Sequence, residues 1–366
     1  MRIGKDQKYA AHHRLQVDLG FFRYSDAGTI TSQDSTFYPV NYLTDSRGIR
    51  YLMEFSRFTN TFDVAFDSKS FDVQLGIKYQ HSRFRLDEGL NQINDLFAFG
   101  KLTAQVGDLA KLQTFGELGI GENVGNIHLE GVLSLEPISG LRLKSNLKIL
   151  RYDPSLIHEN VSITFQPVFS NNFSKINEFF LSGNLYWDKI NAELEFNTGI
   201  ITNPIAYDES ALPFQAGSTE YIQAIFNHRW HFGWIGIENA IVYQRFSDNI
   251  YNLPEFYGIH NAYVQFPLFN NQLLSRLGGL YYSIRNDNPV SFFPITGTFI
   301  PNPSGFINPG YTYYEFYGNF QISKFRLFLK LENANDLFFP NRNFQVVDYP
   351  QFDWRLRIGV RWILRG

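Results

Sequence analysis

Alternation of apolar and polar residues runs through almost the whole 366-residue chain, and no segment shows convincing helical periodicity. The clearest case is the C-terminal segment "DWRLRIGVRWILRG". One parity carries the apolar side chains Trp354, Leu356, Ile358, Val360, Trp362 and Leu364, and the other carries Arg355, Arg357, Arg361 and Arg365. Successive residues of a strand point to opposite faces, so the segment predicts a strand with one apolar face and one row of arginines.

The same pattern recurs along the chain and predicts an all-β fold of about sixteen strands. It is cleanest in the segments 71–80, 141–151, 190–200 and 325–332. Two places leave the count open. Apolar parity flips between Phe55 and Phe62, which is typical of a β-bulge or of an additional turn. The stretch 152–177 has room for one more strand inside a long connection.

Connections of two lengths alternate along the chain, and this regularity favours an antiparallel up-and-down meander. Short ones lie at 67–70, 108–112, 137–140, 188–190, 231–234, 269–272 and 322–324. Long ones lie at 26–47, 86–94, 152–177, 202–217, 246–256, 286–309 and 337–350. Transmembrane barrels have this asymmetry, with short periplasmic turns and longer extracellular loops. We therefore expect a transmembrane β-barrel, with a β-sandwich, a propeller or a large soluble barrel as the alternatives.

Strand length and aromatic content favour the membrane barrel over these alternatives. Trp354 and Trp362 are eight residues apart, which is roughly 27 Å of extended chain and about 21 Å when tilted by ~40°. That span is comparable with the ~25 Å apolar band of an outer-membrane barrel and its two aromatic girdles. The chain also holds 37 Phe and 21 Tyr. We predict that Trp187, Trp354 and Trp362 lie at the membrane interface.

The polar parity then faces a water-filled lumen, and its charged residues are the predicted functional surface. They are Lys78, Arg142, Lys144, Lys148, Glu193, Glu195, Arg326, Lys330, Arg355, Arg357 and Arg361. Opposite charges on different strands would create a transverse field that selects polar solutes, or they would only keep the interior hydrated. The Pro- and Phe-rich loop 286–309 is expected either to fold inward as a constriction or to form an extracellular cap.

Motifs for catalysis and for cofactors are missing from the sequence, so we expect neither an enzyme nor a bound cofactor or metal. Cysteine is absent and the formal net charge is −3, which points away from thiolate metal sites and from nucleic acid. "GIGENVG" (119–125) has an extra residue before its last Gly and favours a β-turn over a dinucleotide loop. His228 and His231 are three apart, on opposite faces of a strand, and cannot share a metal there.

The N-terminal segment "MRIGKDQKYAAHHRLQ" lacks the apolar stretch of a signal peptide. We expect the natural start to lie upstream of Met1, so that the chain is N-terminally truncated. Residues 1–11 are then a disordered or strand-leading segment, and residues 12–366 form the barrel domain.

Several segments resemble the "putative porin" family of Bacteroidetes outer membranes, most strongly after residue 200. They are "ALPFQAGSTEYIQAIFNHRW", "NLPEFYGIHNAYVQFPLFNNQLLSRLGGLYYSI", "YTYYEFYGNFQISKFRLFLKLENANDLF" and "FDWRLRIGVRW". The resemblance implies a β-barrel in the bacterial outer membrane, in contact with lipid and lipopolysaccharide. It implies a passive pore, and it offers no catalytic residues.

We therefore predict a porin-like channel for diffusion of small polar solutes, with ion transport among its activities. The alternative is a plugged or narrow barrel that serves as a binding or structural component of a partner complex. An outer-membrane hydrolase and the C-terminal part of a larger active transporter are the further hypotheses. Association into a homo-oligomer or with a partner protein is left open by the sequence.

Overall fold

The fold is all-β, as the alternation predicts. The computed structural model describes residues 2–3, 8–28, 47–86, 89–164, 166–285, 289–302, 310–338, 344–347 and 349–363. Sixteen long strands form one antiparallel sheet, which confirms the predicted number. In chain order they are β1 (Tyr9–Asp26), β2 (Ile49–Asp67), β3 (Phe71–Leu86), β4 (Gly89–Val106), β5 (Ala110–Gly121), β6 (Ile127–Ile138), β7 (Leu141–Tyr152), β8 (Ile176–Trp187), β9 (Ala192–Thr202), β10 (Ser218–Phe232), β11 (Ile235–Phe246), β12 (Phe256–Leu268), β13 (Leu273–Arg285), β14 (Tyr311–Ile322), β15 (Phe325–Glu332) and β16 (Arg355–Trp362).

Each long strand pairs with the next one along the chain, so the sheet is a meander. All connections at one end, called here the turn side, are short, and the long connections lie at the other end, the loop side, together with the short ones after Leu86 and Gly121. Left-handed backbone makes the tight turns possible, as at Gly140 with a φ of 81° and at Asn191 with a φ of 48°. Helices are minor. They are α1 (Leu156–Glu159) and the 3₁₀ segments Asp188–Ile190 and Ala334–Leu337. No helix within the described ranges has the length and hydropathy of a membrane span.

The sheet is rolled, and side chains of its concave side meet across an intervening strand. Lys78 on β3 contacts Glu117 on β5, with Nζ and Oε2 2.6 Å apart. The Tyr317 hydroxyl on β14 donates to Asn261 Oδ1 on β12 at 2.9 Å. Each pair spans an intervening strand, and such contacts are favoured where neighbouring strands tilt their side chains toward each other. We call this concave side the inner face.

The convex side, or outer face, carries the apolar parity. Leu181 in the middle of β8 is 41% exposed, and Leu194 on β9 is 48% exposed. A soluble sandwich or a soluble barrel would bury this parity. A wall that exposes it around the whole sheet is suited to lipid. The register therefore supports the membrane interpretation over the soluble alternatives.

The parity flip near residues 55–62 is not a bulge or a turn. Strand β2 is continuous over 19 residues and keeps one register with β1 throughout. Tyr51 and Met53 lie on the same inner face as Asp63, but they are nearer the loop side. Their apolar character arises because that end of the inner face packs against loops rather than facing water.

One predicted connection is wrong. Residues 86–94 were expected to form a long loop, but β3 ends at Leu86 and β4 begins at Gly89. Both strands continue to the loop side, where the outer face carries polar groups such as Arg83 and Arg85. The apolar alternation fades there because these outer-face residues lie beyond the apolar band, although the strands themselves continue.

The two end strands of the sheet differ from the rest. Within the described residues, β16 pairs with β15 alone. The free edge of β1 holds a two-residue strand, Arg2–Ile3, paired with Tyr9 and Ala10. Outer-face side chains of the end strands are more exposed than those of inner strands, at 79% for Leu19 and 65% for Ile358. These two edges are where the backbone groups of the sheet lack strand neighbours.

Candidate pore and its loop cap

The register places all of the sequence-predicted lumen charges on the inner face. They are Lys78 on β3, Arg142, Lys144 and Lys148 on β7, Glu193 and Glu195 on β9, Arg326 and Lys330 on β15, and Arg355, Arg357 and Arg361 on β16. Of the predicted interface aromatics, Trp187 and Trp362 have the outer parity. Trp354 lies just before β16 and is 47% exposed. Leu364 and Arg365 lie outside the described residues.

Most of the loop-side cations on the inner face are neutralised by acids on neighbouring strands. Lys330 Nζ is 2.7 Å from Glu315 Oε1 on β14. Arg355 and Arg357 share Glu332 Oε2, at 3.1 and 2.8 Å. The sequence pattern could show that these side chains share a face, but it could not show which strands pair and therefore which acids they meet.

Opposite charges are not always on distant strands. Strands β6 and β7 are direct neighbours, and Glu130 on β6 faces Lys148 on β7 in the register. Their charges therefore balance within the wall. Cations that face no acid occur elsewhere, at the turn side of β13 to β16, and they include Arg276, which the sequence analysis did not single out.

Aromatic rings on the inner face lie flat against the wall where the neighbouring strand has a glycine. A Cβ at Gly278 would come within 2.6 Å of the Tyr317 hydroxyl and 2.7 Å of Tyr263 Cβ. A Cβ at Gly359 would meet the Phe328 ring at 2.0 Å. Glycine is needed at both positions because the ring occupies the space of its side chain. This arrangement keeps large side chains out of the lumen.

Three loop-side hairpins pack together into a structure that we call the cap. The hairpins are Asn160–Ile163 with Gln166–Ser170, Ile205–Tyr207 with Pro213–Gln215, and Val290–Phe293 with Thr298–Pro301. The first of them lies within the connection 152–177, which therefore holds two short strands outside the wall. Their apolar side chains form one buried cluster with the loop-side end of β2, made of Ile49, Tyr51, Val161, Ile163, Ala211, Phe293, Ile295 and Ile300.

The cap extends across the loop-side opening. Its first hairpin leaves the wall between β7 and β8, yet Thr164 N donates to Arg50 O on β2 at 2.8 Å. Five strand spacings separate β2 from β7, or roughly 24 Å along the sheet. The hairpin therefore reaches over the inner face rather than outward. Of the loop 286–309, residues 289–302 belong to the cap, and Ile295 is fully buried there.

A polar contact joins two hairpins of the cap. His158 Nδ1 lies 2.9 Å from the Tyr207 hydroxyl. Burial lowers the pKa of His158 below its usual value, and burial raises the pKa of Tyr207 to about 12. At neutral pH the imidazole is therefore uncharged and the phenol is protonated, so Tyr207 donates the hydrogen bond. Protonation of His158 would remove its acceptor nitrogen and place a charge in this contact.

Three tryptophans lie near the turn side of the outer face. Trp187 and Trp362 lie there, as does Trp230 on β10, which the sequence analysis did not select. Trp230 has the same outer parity as His228, and its ring stacks with Phe232 at a centroid distance of 5.7 Å. Indole rings at this level are typical of a membrane interface.

No group of three or more His, Cys, Asp or Glu side chains in the described ranges could hold a metal ion. The "GIGENVG" segment ends β5 at Gly121 and then makes a hydrogen-bonded turn, with Val124 N donating to Gly121 O. The predicted β-turn is confirmed.

A family model described as "Putative porin" matches residues 4–364. The chain belongs to this family. No curated protein matches it in sequence. Together, the family and the rolled, outward-apolar sheet identify an outer-membrane barrel protein.

Solved structures share the fold of this chain at low sequence identity. The copper transporter OprC has a TM-score of 0.66 at 10% identity, over 96% of this chain and 62% of that one. The siderophore receptor PirA from Acinetobacter baumannii has a TM-score of 0.63 at 10% identity, over 96% and 60%. The FrpB iron transporter from Neisseria meningitidis (F5-1 variant) has a TM-score of 0.61 at 10% identity, over 97% and 60%. This chain spans about three-fifths of the length of these structures, and the likeness concerns the fold alone.

Proposed function

We propose that the porin forms a channel through which small polar solutes diffuse passively across the outer membrane. The observation that carries the proposal is the inner face, which holds ion pairs and amides and, at its turn side, arginines that face no acid. A lumen lined in this way stays hydrated and offers polar contacts that a permeating solute can exchange for its water. Selectivity then depends on the bore and on the signs of the charges along it.

The cap modifies this proposal, because an apolar cluster across the loop side narrows the entrance. Solutes then enter beside the cap, or they enter when the cap moves away from β2. A second candidate function follows from the same cluster. A cap that never opens would make the protein a plugged barrel that acts as a binding or structural component of a partner complex.

Single-channel recording in planar bilayers distinguishes the two functions. The full chain is compared with a variant in which residues 290–301 are replaced by a short Gly-Ser linker. We expect a steady open current from the full chain and a larger current from the variant. Current from the variant alone would favour the plugged barrel, and the absence of current from both would refute a channel.

Swelling of proteoliposomes in sugars and amino acids of increasing size provides the matching solute assay. Passive diffusion predicts rates that fall with solute size and do not saturate with concentration. Saturation at low concentration would contradict passive diffusion and would indicate a binding step that limits transport.

A further inference from the structure

A cavity of about 540 Å³ lies on the inner face at the turn side of β12 to β16. Its charged lining residues are Arg276, Arg326 and Arg361, and its polar lining residues are Gln265, Asn319 and Gln321. No acidic residue of the described ranges lines it. We propose that this cavity is a binding site for small oxyanions, such as inorganic phosphate.

The register explains why the three guanidinium groups converge. Arg326 on β15 and Arg361 on β16 are directly opposite each other. Arg276 on β13 is opposite Asn319, one row nearer the loop side. Two strand spacings of about 4.8 Å separate Arg276 from β15, which is within the combined reach of two arginine side chains.

The like charges on β15 and β16 distinguish this cavity from the rest of the two strands. Like charges directly opposite each other in a sheet repel and destabilise the pairing. The other facing cations, Lys330 and Arg357, are relieved by Glu315 and Glu332. Within the described ranges, Arg326 and Arg361 have no carboxylate within ion-pair distance. An anion bound between them would supply the missing negative charge.

The groups that position Arg276 are neutral, so they do not offset its positive charge. Its Nε and Nη2 donate to Gln265 Oε1 at 2.8 and 2.6 Å. Its guanidinium lies over the Tyr263 ring, 4.2 Å from the centroid. These contacts fix the plane of the guanidinium while leaving its other N–H groups available. A planar guanidinium with two free donors matches the oxygen spacing of phosphate.

Other inner-face cavities do not share this charge pattern. The cavity near the turn between β4 and β5 combines Lys111, Arg142 and Lys144 with Glu136 and Glu193. The cavity along β9 to β13 combines Arg229 with Glu193 and Glu238. Oxyanion binding is therefore assigned to the arginine cavity and not to the lumen in general.

Equilibrium dialysis with radiolabelled inorganic phosphate tests the assignment on the full chain in a neutral detergent at low ionic strength. The test variant is R326Q/R361Q. The control variant is K330Q/R357Q, which removes the same number of charges from the same two strands. We expect the test variant to bind phosphate about tenfold more weakly or worse, because charge-assisted hydrogen bonds are the strongest contacts available. The control should change affinity by less than about threefold.

Equal loss in both variants would mean that phosphate responds to net charge alone, and would overturn the assignment. Undetectable binding to the unaltered protein would also overturn it. Circular dichroism and thermal unfolding confirm that both variants are folded. If R326Q/R361Q does not fold, R276Q provides a test that leaves β15 and β16 unchanged, and unchanged binding in that variant would again refute the site.

The inference rests on the proposed function only in placing this face toward water, and the two can fail separately. Dialysis needs no ion flow, so phosphate binding without any current would refute the channel and retain the anion site. A current without phosphate binding would retain the channel and refute the site.

Discussion

Truncation of Phe293 tests whether the cap is held by its apolar cluster. Phe293 is 2% exposed, and it packs with Ile49 and Tyr51 of β2 and with cap residues on two other hairpins. Replacing a buried Phe by Ala costs about 3–5 kcal/mol when the cavity does not collapse. Each 1.4 kcal/mol is a factor of ten, so a loss of ~4 kcal/mol raises the ratio of open to closed cap by nearly a thousandfold.

The matched control is Phe299→Ala in the same hairpin. Phe299 is 58% exposed, so its truncation is expected to cost less than about 1 kcal/mol. Hydrogen exchange followed by mass spectrometry measures the opening of the cap through the peptides that cover residues 160–170 and 290–301. Phe293→Ala should remove protection from both peptides, while peptides from the middle of β7 and β8 keep theirs.

Two results would refute the reasoning. Unchanged protection at residues 160–170 would mean that the hairpins are held independently of each other. Equal loss of protection in β7 and β8 would mean that the cap and the wall open as one unit, and the cap could not then act as an entrance.

Single substitutions in the cap, on the inner face and on the outer face give three further predictions. The pKa of His158 is lowered in the closed cap, so the open cap binds more protons at low pH. Closure is therefore fully favoured above about pH 6.5 and weakens as the pH falls below that value. Single-channel current should rise on acidification, and H158Q should flatten this dependence. Gly278→Val should push the Tyr317 ring into the lumen and lower conductance, and unchanged conductance would contradict the placement of the ring. Leu181→Arg on the outer face should lower the free energy of unfolding by about 2–4 kcal/mol, as measured by urea unfolding from lipid vesicles. Ser182→Arg on the inner face should lower it by less, and the reverse order would invert the assignment of the two faces.

The strands of the wall and their two faces could be predicted from the sequence because both depend on local sequence. Period-two alternation is set by the direction of successive side chains, so Lys144 or Arg357 can be assigned to a face without any knowledge of the neighbouring strand. The same locality explains the error at residues 86–94. The apolar pattern reports lipid contact, and a strand that continues beyond the lipid no longer shows it.

The cap and the arginine cavity were beyond sequence reasoning for a different reason. Phe293 belongs to one buried cluster with Tyr51 and Val161, which are far away in the chain. No sequence periodicity indicates that these residues come together. Arg276 lies in a strand where Leu274 and Leu280 share its inner parity, so the alternation there is blurred. Its role appears only when the pairing of β13 with β14 brings it toward Arg326.

The cap and the arginine cavity lie at opposite ends of the inner face, and their effects on transport should therefore be separable. Arg326 and Glu332 are six residues apart on β15, or about 20 Å, and the cap lies at the Glu332 end. Mutations at such a distance that share no partners usually have additive effects. Phe293→Ala should raise the current while the ratio of chloride to potassium permeability stays constant, because it changes how often the entrance is open. R326Q/R361Q should shift that ratio toward potassium while the open fraction stays constant, because it changes the charge that an ion meets at the turn side. The triple variant should show both changes in full, as measured by current and by reversal potential in a salt gradient. A selectivity change in Phe293→Ala alone would mean that the cap moves the turn-side arginines, and the two ends of the lumen would then be coupled.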